Sequence, residues 1–290
     1  MNNQKIIYKN FDANFESLIL NNKLKNCLIV TTSGSVERGY LNSYKNIMTN
    51  SECKFEELII NDYPDISMLG SVFSRFQNKN IDLILSLGGG SVLDVGKLLS
   101  SCTMQENAEI LFTNISLNNS KKIFNIAVPT TAGSGAESTQ FATVWSKNTQ
   151  EKFSFEDKKL IPEIVYLNAE LTKTVPLDIT LTTAMDALCH SVDSLLNINN
   201  TKESEDLSIE SISLICKYLQ LLINDLNNET TRFKLLEASN LAGRAINITK
   251  TSLNHAISYP LTNLYGIQHG FACCFSVIAT FEKYEKNLIN

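Results

Sequence analysis

The segment DLILSLGGGSVLDVGKLLS, residues 82–100, decides the fold class of this chain. Its first part is an apolar run of strand length, and its second part has the apolar spacing of a helix. Glycines 88 to 90 form the short turn between the two. A strand that runs directly into a helix is the repeating unit of an α/β domain with a parallel sheet.

The sequence on both sides of this segment repeats the same alternation. Two stretches with helical spacing are SVERGYLNSYKNIM and ISMLGSVFSRFQ. The apolar runs of strand length are CLIVTT, FEELII, IFNIAVPT, FATVWS and EIVYLN. We therefore expect residues 1–170 to form an α/β domain of the nucleotide-binding type around a parallel sheet.

The pattern of apolar residues changes after Pro176. Helical spacing dominates from there on, and no convincing strand interrupts it. The helical stretches are LTTAMDALCHSVDSLL, LSIESISLICKYLQLLIND, TTRFKLLEASNLAGRAINI and HAISYPLTNLYG. We expect residues 171–290 to form a second, all-helical domain.

Composition excludes several classes of protein. The 25 Lys and Arg against 30 Asp and Glu leave a net charge of −5 without a basic block, which excludes a nucleic-acid partner. The N-terminal residues lack the apolar core of a signal peptide, and the apolar run FACCFSVIATF is too short to span a bilayer, so no membrane partner is expected. Seven scattered cysteines are typical of a reducing compartment, so we expect a cytoplasmic protein.

The turn from Gly88 to Ser91 has the features of a phosphate site. A helix N-terminus offers unpaired N–H groups, and glycines allow close approach of a pyrophosphate. Leu93 occupies the third glycine position of the GxGxxG pattern, so that fingerprint is absent. The simpler interpretation is a tight turn with Ser91 as N-cap and Asp94 completing a capping box.

A second loop, residues 129–137, also follows a predicted strand. In a parallel sheet both loops leave the carboxyl ends of strands, where ligands bind, so the second loop either faces the same ligand-binding crevice as the first turn or is an ordinary polar loop.

The three histidines of the chain all lie in the helical half. Asp186 and His190 are spaced i, i+4, which places a carboxylate and an imidazole on one helix face. His255 and His269 would be about 21 Å apart on one continuous helix, so they share an ion only if the chain folds back, and Gly266 is a natural helix stop. One carboxylate and three imidazoles suit Fe(II) or Zn(II). The alternative is three unrelated histidines.

A polar stripe follows if residues 244–259 form approximately one helix. Its members are Arg244, Asn247, Thr251, His255 and Tyr259. Such a face beside a metal ligand suits a small anionic substrate held by charge-assisted hydrogen bonds. In the alternative interpretation Arg244 is solvated or pairs with an acid such as Glu237.

Together these segments resemble the iron-containing, or group III, alcohol dehydrogenase family. The resemblance covers essentially the whole chain through GGGSVLDVGK, PTTAGSGAEST, MDALCH and HAISYPLTNLYGIQHG. It implies a dehydroquinate synthase-like architecture, in which an N-terminal domain binds NAD(H) or NADP(H) and a helical domain binds Fe(II), with Zn(II) as the other candidate. It implies that the substrate is a small aldehyde or alcohol. It is compatible with a homodimer and does not decide the oligomeric state.

Several residue roles follow from this resemblance alone. The implied metal ligands are Asp186, His190, His255 and His269. The implied cofactor-binding residues are Gly88, Gly89, Gly90, Ser91, Asp94, Thr130, Thr131 and Lys152. Asp94 and Tyr259 are the implied catalytic residues, and Tyr259 stands where many family members have a histidine that relays a proton.

The segment HAISYPLT, with AGRAINITKTS upstream, is most similar to the phosphonoacetaldehyde reductase subgroup. This resemblance implies reduction of phosphonoacetaldehyde to 2-hydroxyethylphosphonate, with Arg244, Lys250 and Tyr259 as substrate-binding residues. The residues after the first predicted strand, 31–35, carry no acid, so a 2′-phosphate would not be repelled and NADP is admissible.

The family usually continues through several more helices after the segment that matches HGFACCFSVIATF. The resemblance therefore implies a chain truncated at its C-terminus or an unusually small helical domain. Two alternatives to the phosphonate substrate stay open: a general alcohol or diol dehydrogenase, and an inactive truncated product that binds nucleotide or metal without turnover.

Overall fold

The computed structural model describes residues 4–61, 65–76, 79–101, 122–146 and 151–289. The chain divides into two compact units, of which the first comprises residues 1–130 and 140–168. The second comprises residues 131–139 and 169–290. The loop 131–139 thus belongs to the second unit, although it follows directly on a strand of the first.

The first unit is built on a parallel sheet. Its strands are β1 (Lys5–Ile7), β2 (Asn26–Thr31), β3 (Lys54–Ile59), β4 (Leu83–Gly88), β5 (Phe124–Pro129) and β8 (Ile164–Tyr166). They lie in the order β1-β8-β5-β4-β2-β3, and every pair is parallel. The predicted parallel sheet is therefore confirmed. Two further strands, β6 (Phe141–Ser146) and β7 (Glu151–Glu156), form a separate antiparallel pair.

Five helices of the described residues belong to this unit. They are α1 (Phe11–Asn22), α2 (Ser33–Glu37), α3 (Asn42–Asn50), α4 (Ile66–Phe76) and α5 (Gly90–Ser101). The single helix expected over SVERGYLNSYKNIM is wrong, because the chain turns between α2 and α3 at Gly39, where φ is +73°. A left-handed φ of this kind interrupts a helix and is adopted most easily by glycine.

The quoted segment 82–100 forms the centre of this unit. Strand β4 is buried along its whole length, and the apolar face of α5 packs in the same core as Ile84. The helix lies unusually close to the strand at Gly96, where a Cβ atom would come 1.7 Å from the Ser86 Oγ. The strand and helix predicted for this segment are both confirmed.

The second unit is helical, as predicted. Its helices are α6 (Leu177–Leu195), α7 (Lys202–Asn224), α8 (Glu229–Thr249), α9 (Leu253–Tyr265), α10 (His269–Cys274) and α11 (Val277–Ile289). The first three share one apolar core that includes Ala187, Ile215 and Ala238. Throughout the described ranges, the helices are too short or too polar to cross a membrane.

The expected continuous helix over residues 244–259 is wrong. Helix α8 ends at Thr249, Lys250 has a φ of +68°, and α9 begins only at Leu253. The break is stabilised from α6, because Asp193 accepts the backbone N–H groups of Ser252 and His255 at 2.8 and 3.2 Å. The N–H groups of the first turn of a helix need such acceptors. The residues of the polar stripe therefore lie on two helices and not on one helix face. The argument for an anionic substrate from helical periodicity is lost with the single helix.

Candidate metal centre

Helix α6 presents the first two candidate ligands. Asp186 and His190 lie one turn apart on its inner face, and the His190 Nε2 is 3.8 Å from the Asp186 Oδ1. Both side chains are largely buried, with exposed fractions of 13% for Asp186 and 8% for His190. A carboxylate in such surroundings needs compensating positive charge.

The other two imidazoles reach this pair because the chain folds back after α9. That helix ends at Gly266, whose φ of +67° is the left-handed stop predicted from the sequence. His269 begins α10 three residues later, while His255 lies in the first turn of α9. The turn brings together two imidazoles that are fourteen residues apart.

All three imidazoles converge on one carboxylate oxygen. The Nε2 atoms of His255 and His269 lie 3.4 and 3.7 Å from the Asp186 Oδ1. The rings of His190 and His255 are stacked with centroids 4.5 Å apart. The structure thus brings together the four side chains that the sequence analysis named as candidate ligands.

These four side chains fit a divalent cation. The Asp186 Oδ1 and the His255 Nε2 are buried and make no hydrogen bond with any described residue. Buried polar atoms are rarely left without a partner. Two ligand atoms on a tetrahedral ion with bonds of about 2.1 Å are about 3.4 Å apart, close to the separations measured here.

Burial and neighbouring charges shift the pKa values of the four groups in different directions. Burial lowers the pKa of His190 to about 4, so its imidazole is neutral at physiological pH. Burial disfavours ionisation of Asp186, but the three imidazoles together hold the pKa of its carboxyl below the usual range. Burial also opposes the charge on His255, yet Asp186 and Asp193 raise its pKa well above the usual value.

Asp193 orients one of the candidate ligands and was missed by sequence reasoning. Its Oδ2 lies 2.8 Å from the His255 Nδ1, so the Nε2 of that ring faces Asp186. Burial opposes ionisation of Asp193, but hydrogen bonds from His255 and from the Ser252 N–H lower its pKa to about 2. The signal was present in the sequence, because residues 186, 190 and 193 share one helix face at i, i+4 and i+7.

We expect the Asp193→Asn substitution to weaken metal binding about 10- to 100-fold. The amide has nearly the same volume, but it removes the charge that holds His255 in its orientation and supports the basicity of its Nε2. Competition with a metal chelator measures the change. Asp206→Asn, at an acid of α7 that is 62% exposed and pairs with Lys202, is the matched control. Equal metal affinity in both variants would mean that Asp193 only caps α9.

Cys273 is a second residue near these ligands that the sequence analysis did not name. Its Sγ belongs to a group with one donor atom each from Asp186, His255 and His269, all within 4.8 Å of one another. The thiol is fully buried. His269 and Cys273 are spaced i, i+4, and that spacing was the available signal.

The candidate phosphate turn lies in the first unit, where β4 ends at Gly88 and α5 begins at Gly90. A Cβ atom at Gly88 would come 2.6 Å from the Val92 side chain, so the turn is tight. The N–H groups of Val92 and Leu93 donate to the Gly89 carbonyl oxygen. The turn is thus a tight β4–α5 connection, and a phosphate site at this helix N-terminus stays a prediction.

The capping box at this turn is wrong. Ser91 lies inside the first turn of α5 and is not its N-cap. Asp94 instead accepts the Thr143 N–H at 2.9 Å and pairs with the Lys97 ammonium at 3.1 Å. Lys97 is completely buried, so Asp94 neutralises a buried cation and ties β6 to α5.

The remaining candidate cofactor residues lie at three places. The Thr130 N–H donates to the Gly88 carbonyl oxygen at 3.0 Å, which joins the ends of β5 and β4. Thr131 is half-buried and begins the segment that belongs to the second unit. Lys152 is a residue of β7, paired with Trp145 through the backbone, and its side chain lies outside the described residues.

The candidate substrate residues sit on either side of the break between α8 and α9. Arg244 is half-buried on α8, and it makes no ion pair with any described residue. Glu237, the alternative partner, pairs with Lys234 at 2.8 Å. Lys250 is exposed at the end of α8, and Tyr259 on α9 is 37% exposed.

Comparison with known proteins identifies the relatives of the chain. It is 31% identical over 199 residues to a phosphonoacetaldehyde reductase from Streptomyces viridochromogenes, which covers 66% of this chain and 50% of that protein. It is 25% identical over 261 residues to alcohol dehydrogenase 4 of Schizosaccharomyces pombe, which covers 90% of this chain and 62% of that protein. The chain thus spans about half to two thirds of the length of these two relatives.

A solved structure agrees with this relationship. The sulfoacetaldehyde reductase from Bifidobacterium kashiwanohense, solved in complex with NAD+, superposes with a TM-score of 0.82 at 26% identity. The match covers 96% of this chain and 74% of that one.

Two family profiles match the chain. Residues 4–169 match the profile described as iron-containing alcohol dehydrogenase, and residues 180–288 match the C-terminal profile of the Fe-containing alcohol dehydrogenase family. The first match alone covers more than half of the chain. The chain therefore belongs to the iron-containing alcohol dehydrogenase family.

Proposed function

We propose that this protein is a metal-dependent NAD(P)H oxidoreductase that reduces a small aldehyde to a primary alcohol. The observation that carries this proposal is the convergence of His190, His255 and His269 on the Asp186 Oδ1. Three imidazoles and one carboxylate form a donor set suited to Fe(II) or Zn(II). Membership of the iron-containing alcohol dehydrogenase family supports the reaction class.

The ligands and their supports have distinct roles in this proposal. Asp186 provides the negative charge, the three imidazoles provide neutral donors, and Asp193 fixes the ring of His255. When bound, the cation supplies a Lewis acid for a carbonyl oxygen, and the reduced nicotinamide supplies a hydride. Burial of His190 and His255 keeps bulk water away from these donors.

The turn from Gly88 to Ser91 is the proposed site of the cofactor pyrophosphate. It combines a helix N-terminus with glycines that leave the backbone accessible to a phosphate. Thr130 and Thr131 follow the neighbouring strand, so we place them along the same cofactor. Asp94 is proposed to support this site indirectly, because its carboxylate holds Lys97 and the backbone of Thr143 in position.

We further propose that the substrate is an anionic two-carbon aldehyde, with phosphonoacetaldehyde as the leading candidate. Two of the relatives are named for aldehydes that carry a phosphonate or a sulfonate group. Arg244 carries a guanidinium that pairs with no acid in the described part of the chain, and guanidinium binds phosphonate oxygens in a bidentate manner. Lys250 and Tyr259 are proposed to assist it.

Steady-state reduction of phosphonoacetaldehyde and of propanal tests this proposal. We expect the protein loaded with Fe(II) or Zn(II) to oxidise NAD(P)H much faster with the anionic aldehyde. Arg244→Ala should raise KM for phosphonoacetaldehyde about 10- to 100-fold, since a hydrogen bond to a charged group contributes about 1.5 to 3 kcal/mol. The KM for propanal should change little. Arg75→Ala, at an exposed arginine of α4, is the matched control.

The outcomes separate the alternatives. Equal rates with both aldehydes would favour a general alcohol or diol dehydrogenase, which the similarity to the yeast alcohol dehydrogenase also supports. No oxidation of the cofactor with any aldehyde, together with a thermal transition that rises with metal and cofactor, would favour a binding protein without turnover.

A further inference from the structure

The donor atoms around Asp186 exceed the four of the proposed metal site. Cys273 Sγ lies 3.7 Å from the His269 Nε2 and 3.9 Å from its Nδ1. It shares with Asp186, His255 and His269 a group in which every pair of donor atoms lies within 4.8 Å. Together with His190, whose Nε2 lies 3.8 Å from the Asp186 Oδ1, five side chains therefore carry donor atoms near this carboxylate.

The separation between sulfur and nitrogen matches joint coordination. A tetrahedral ion with a bond of about 2.1 Å to nitrogen and about 2.3 Å to sulfur holds these two atoms about 3.6 Å apart. The measured 3.7 Å from Cys273 Sγ to the His269 Nε2 is close to this value. The Sγ also lies 3.9 Å from the Nδ1, so the thiol must turn from beside the ring toward the Nε2 lone pair to share an ion with it. The side chain is fully buried, so the thiol faces protein and not solvent.

The adjacent cysteine shows that this orientation is specific to Cys273. Cys274 Sγ contacts Cys189 Sγ at 3.1 Å and donates to the Met185 carbonyl oxygen at 3.6 Å. The two neighbouring thiols of α10 therefore have different partners: one faces the imidazoles and the other faces the backbone of α6. Cys274, which is half-buried, is therefore a control for the effect of a neighbouring thiol.

We propose that Cys273 is a metal ligand in this protein. Its thiolate then binds the ion together with Asp186, His255 and His269, in addition to His190. The proposal rests on the metal centre of the proposed function. A thiolate among nitrogen and oxygen donors shifts the preference of a site toward Zn(II) and Co(II), which accept sulfur readily. It also adds negative charge beside the single carboxylate of the site.

The electronic spectrum of the protein loaded with Co(II) tests this proposal. Bound Co(II) has visible ligand-field bands, whereas a thiolate ligand adds a separate charge-transfer band in the near ultraviolet. We expect both features in the unsubstituted chain. Cys273→Ser should lose the near-ultraviolet band, keep the visible bands and bind Co(II) about tenfold or more weakly. Cys274→Ser should keep both features.

Each other outcome has a definite meaning. Visible bands without the charge-transfer band in the unsubstituted chain would overturn the role of Cys273 and leave the metal centre intact. A charge-transfer band that survives in Cys273→Ser, or disappears in Cys274→Ser, would also overturn it. Absence of the visible bands would overturn the metal centre itself, and the thiolate ligand with it. Absence of the charge-transfer band from the unsubstituted chain overturns the role of Cys273 even if a variant fails to fold.

Discussion

Replacing Asp186 with asparagine is expected to abolish metal-dependent activity at ordinary metal concentrations. Asp186 is the carboxylate on which three imidazoles converge, and its Oδ1 has no hydrogen-bond partner among the described residues. Removing one charge from a buried charged cluster typically costs about 3 kcal/mol or more, which is about 100-fold in affinity. Equilibrium dialysis with Zn(II) or Fe(II) measures that loss directly.

The fold is expected to survive this substitution. Asparagine has nearly the volume of aspartate, so the packing of α6 is kept. Asp178→Asn is the control, since Asp178 is an exposed residue in the first turn of the same helix and contributes only a weak dipole interaction. A variant at Asp186 that retains one tightly bound ion would show that the cation does not depend on this carboxylate.

Gly270→Ala is expected to disrupt the metal centre without touching a ligand. A Cβ atom at Gly270 would lie 1.7 Å from the Thr182 carbonyl oxygen and 3.0 Å from the Asp186 backbone nitrogen. Both obstacles are backbone atoms of α6 and cannot swing aside. Helix α10 must therefore move away from α6, and His269 moves with it. Overpacking of this kind typically costs about 1 to 3 kcal/mol of stability, and occasionally more.

Gly266→Ala provides the matched comparison four residues earlier. No atom lies within 4 Å of the position that its Cβ would take, although its φ of +67° disfavours any side chain. We expect a loss of stability of about 1 kcal/mol and a metal affinity close to that of the unsubstituted chain. For Gly270→Ala we expect a clearly lower melting temperature and at least about tenfold weaker metal binding. Unchanged metal binding in Gly270→Ala would show that the site tolerates displacement of α10.

The parts of the fold that the sequence predicts are those with strong local periodicity. Strands β2 to β5 and helices α6 to α9 are each marked by an apolar run or an amphipathic stretch. Strand β1 has only three residues and β7 alternates charged and aromatic residues, so neither stood out. The assignment of loop 131–139 to the helical unit depends on a long-range contact, because Gly135 packs so closely on Gly243 that a Cβ would lie 2.5 Å from its Cα.

The candidate site was predictable in its residue types but not in its supporting structure. The i, i+4 spacing of Asp186 and His190 and the helix stop at Gly266 are local signals. The break between α8 and α9 is not local, because it depends on Asp193 accepting N–H groups from the first turn of α9. The same carboxylate both ends the assumed continuous helix and orients His255. Sequence spacing alone therefore misplaced the substrate stripe.

Anomalous X-ray diffraction from crystals grown with Fe(II) or Zn(II) tests the central claim most directly. We predict one anomalous peak per chain, within about 2.3 Å of a donor atom from each of Asp186, His255 and His269. His190 is expected to provide a further donor at the same distance, and Cys273 another if it is a ligand as proposed above. A peak elsewhere in the chain, or a site in which these side chains point to different ions, would contradict the claim.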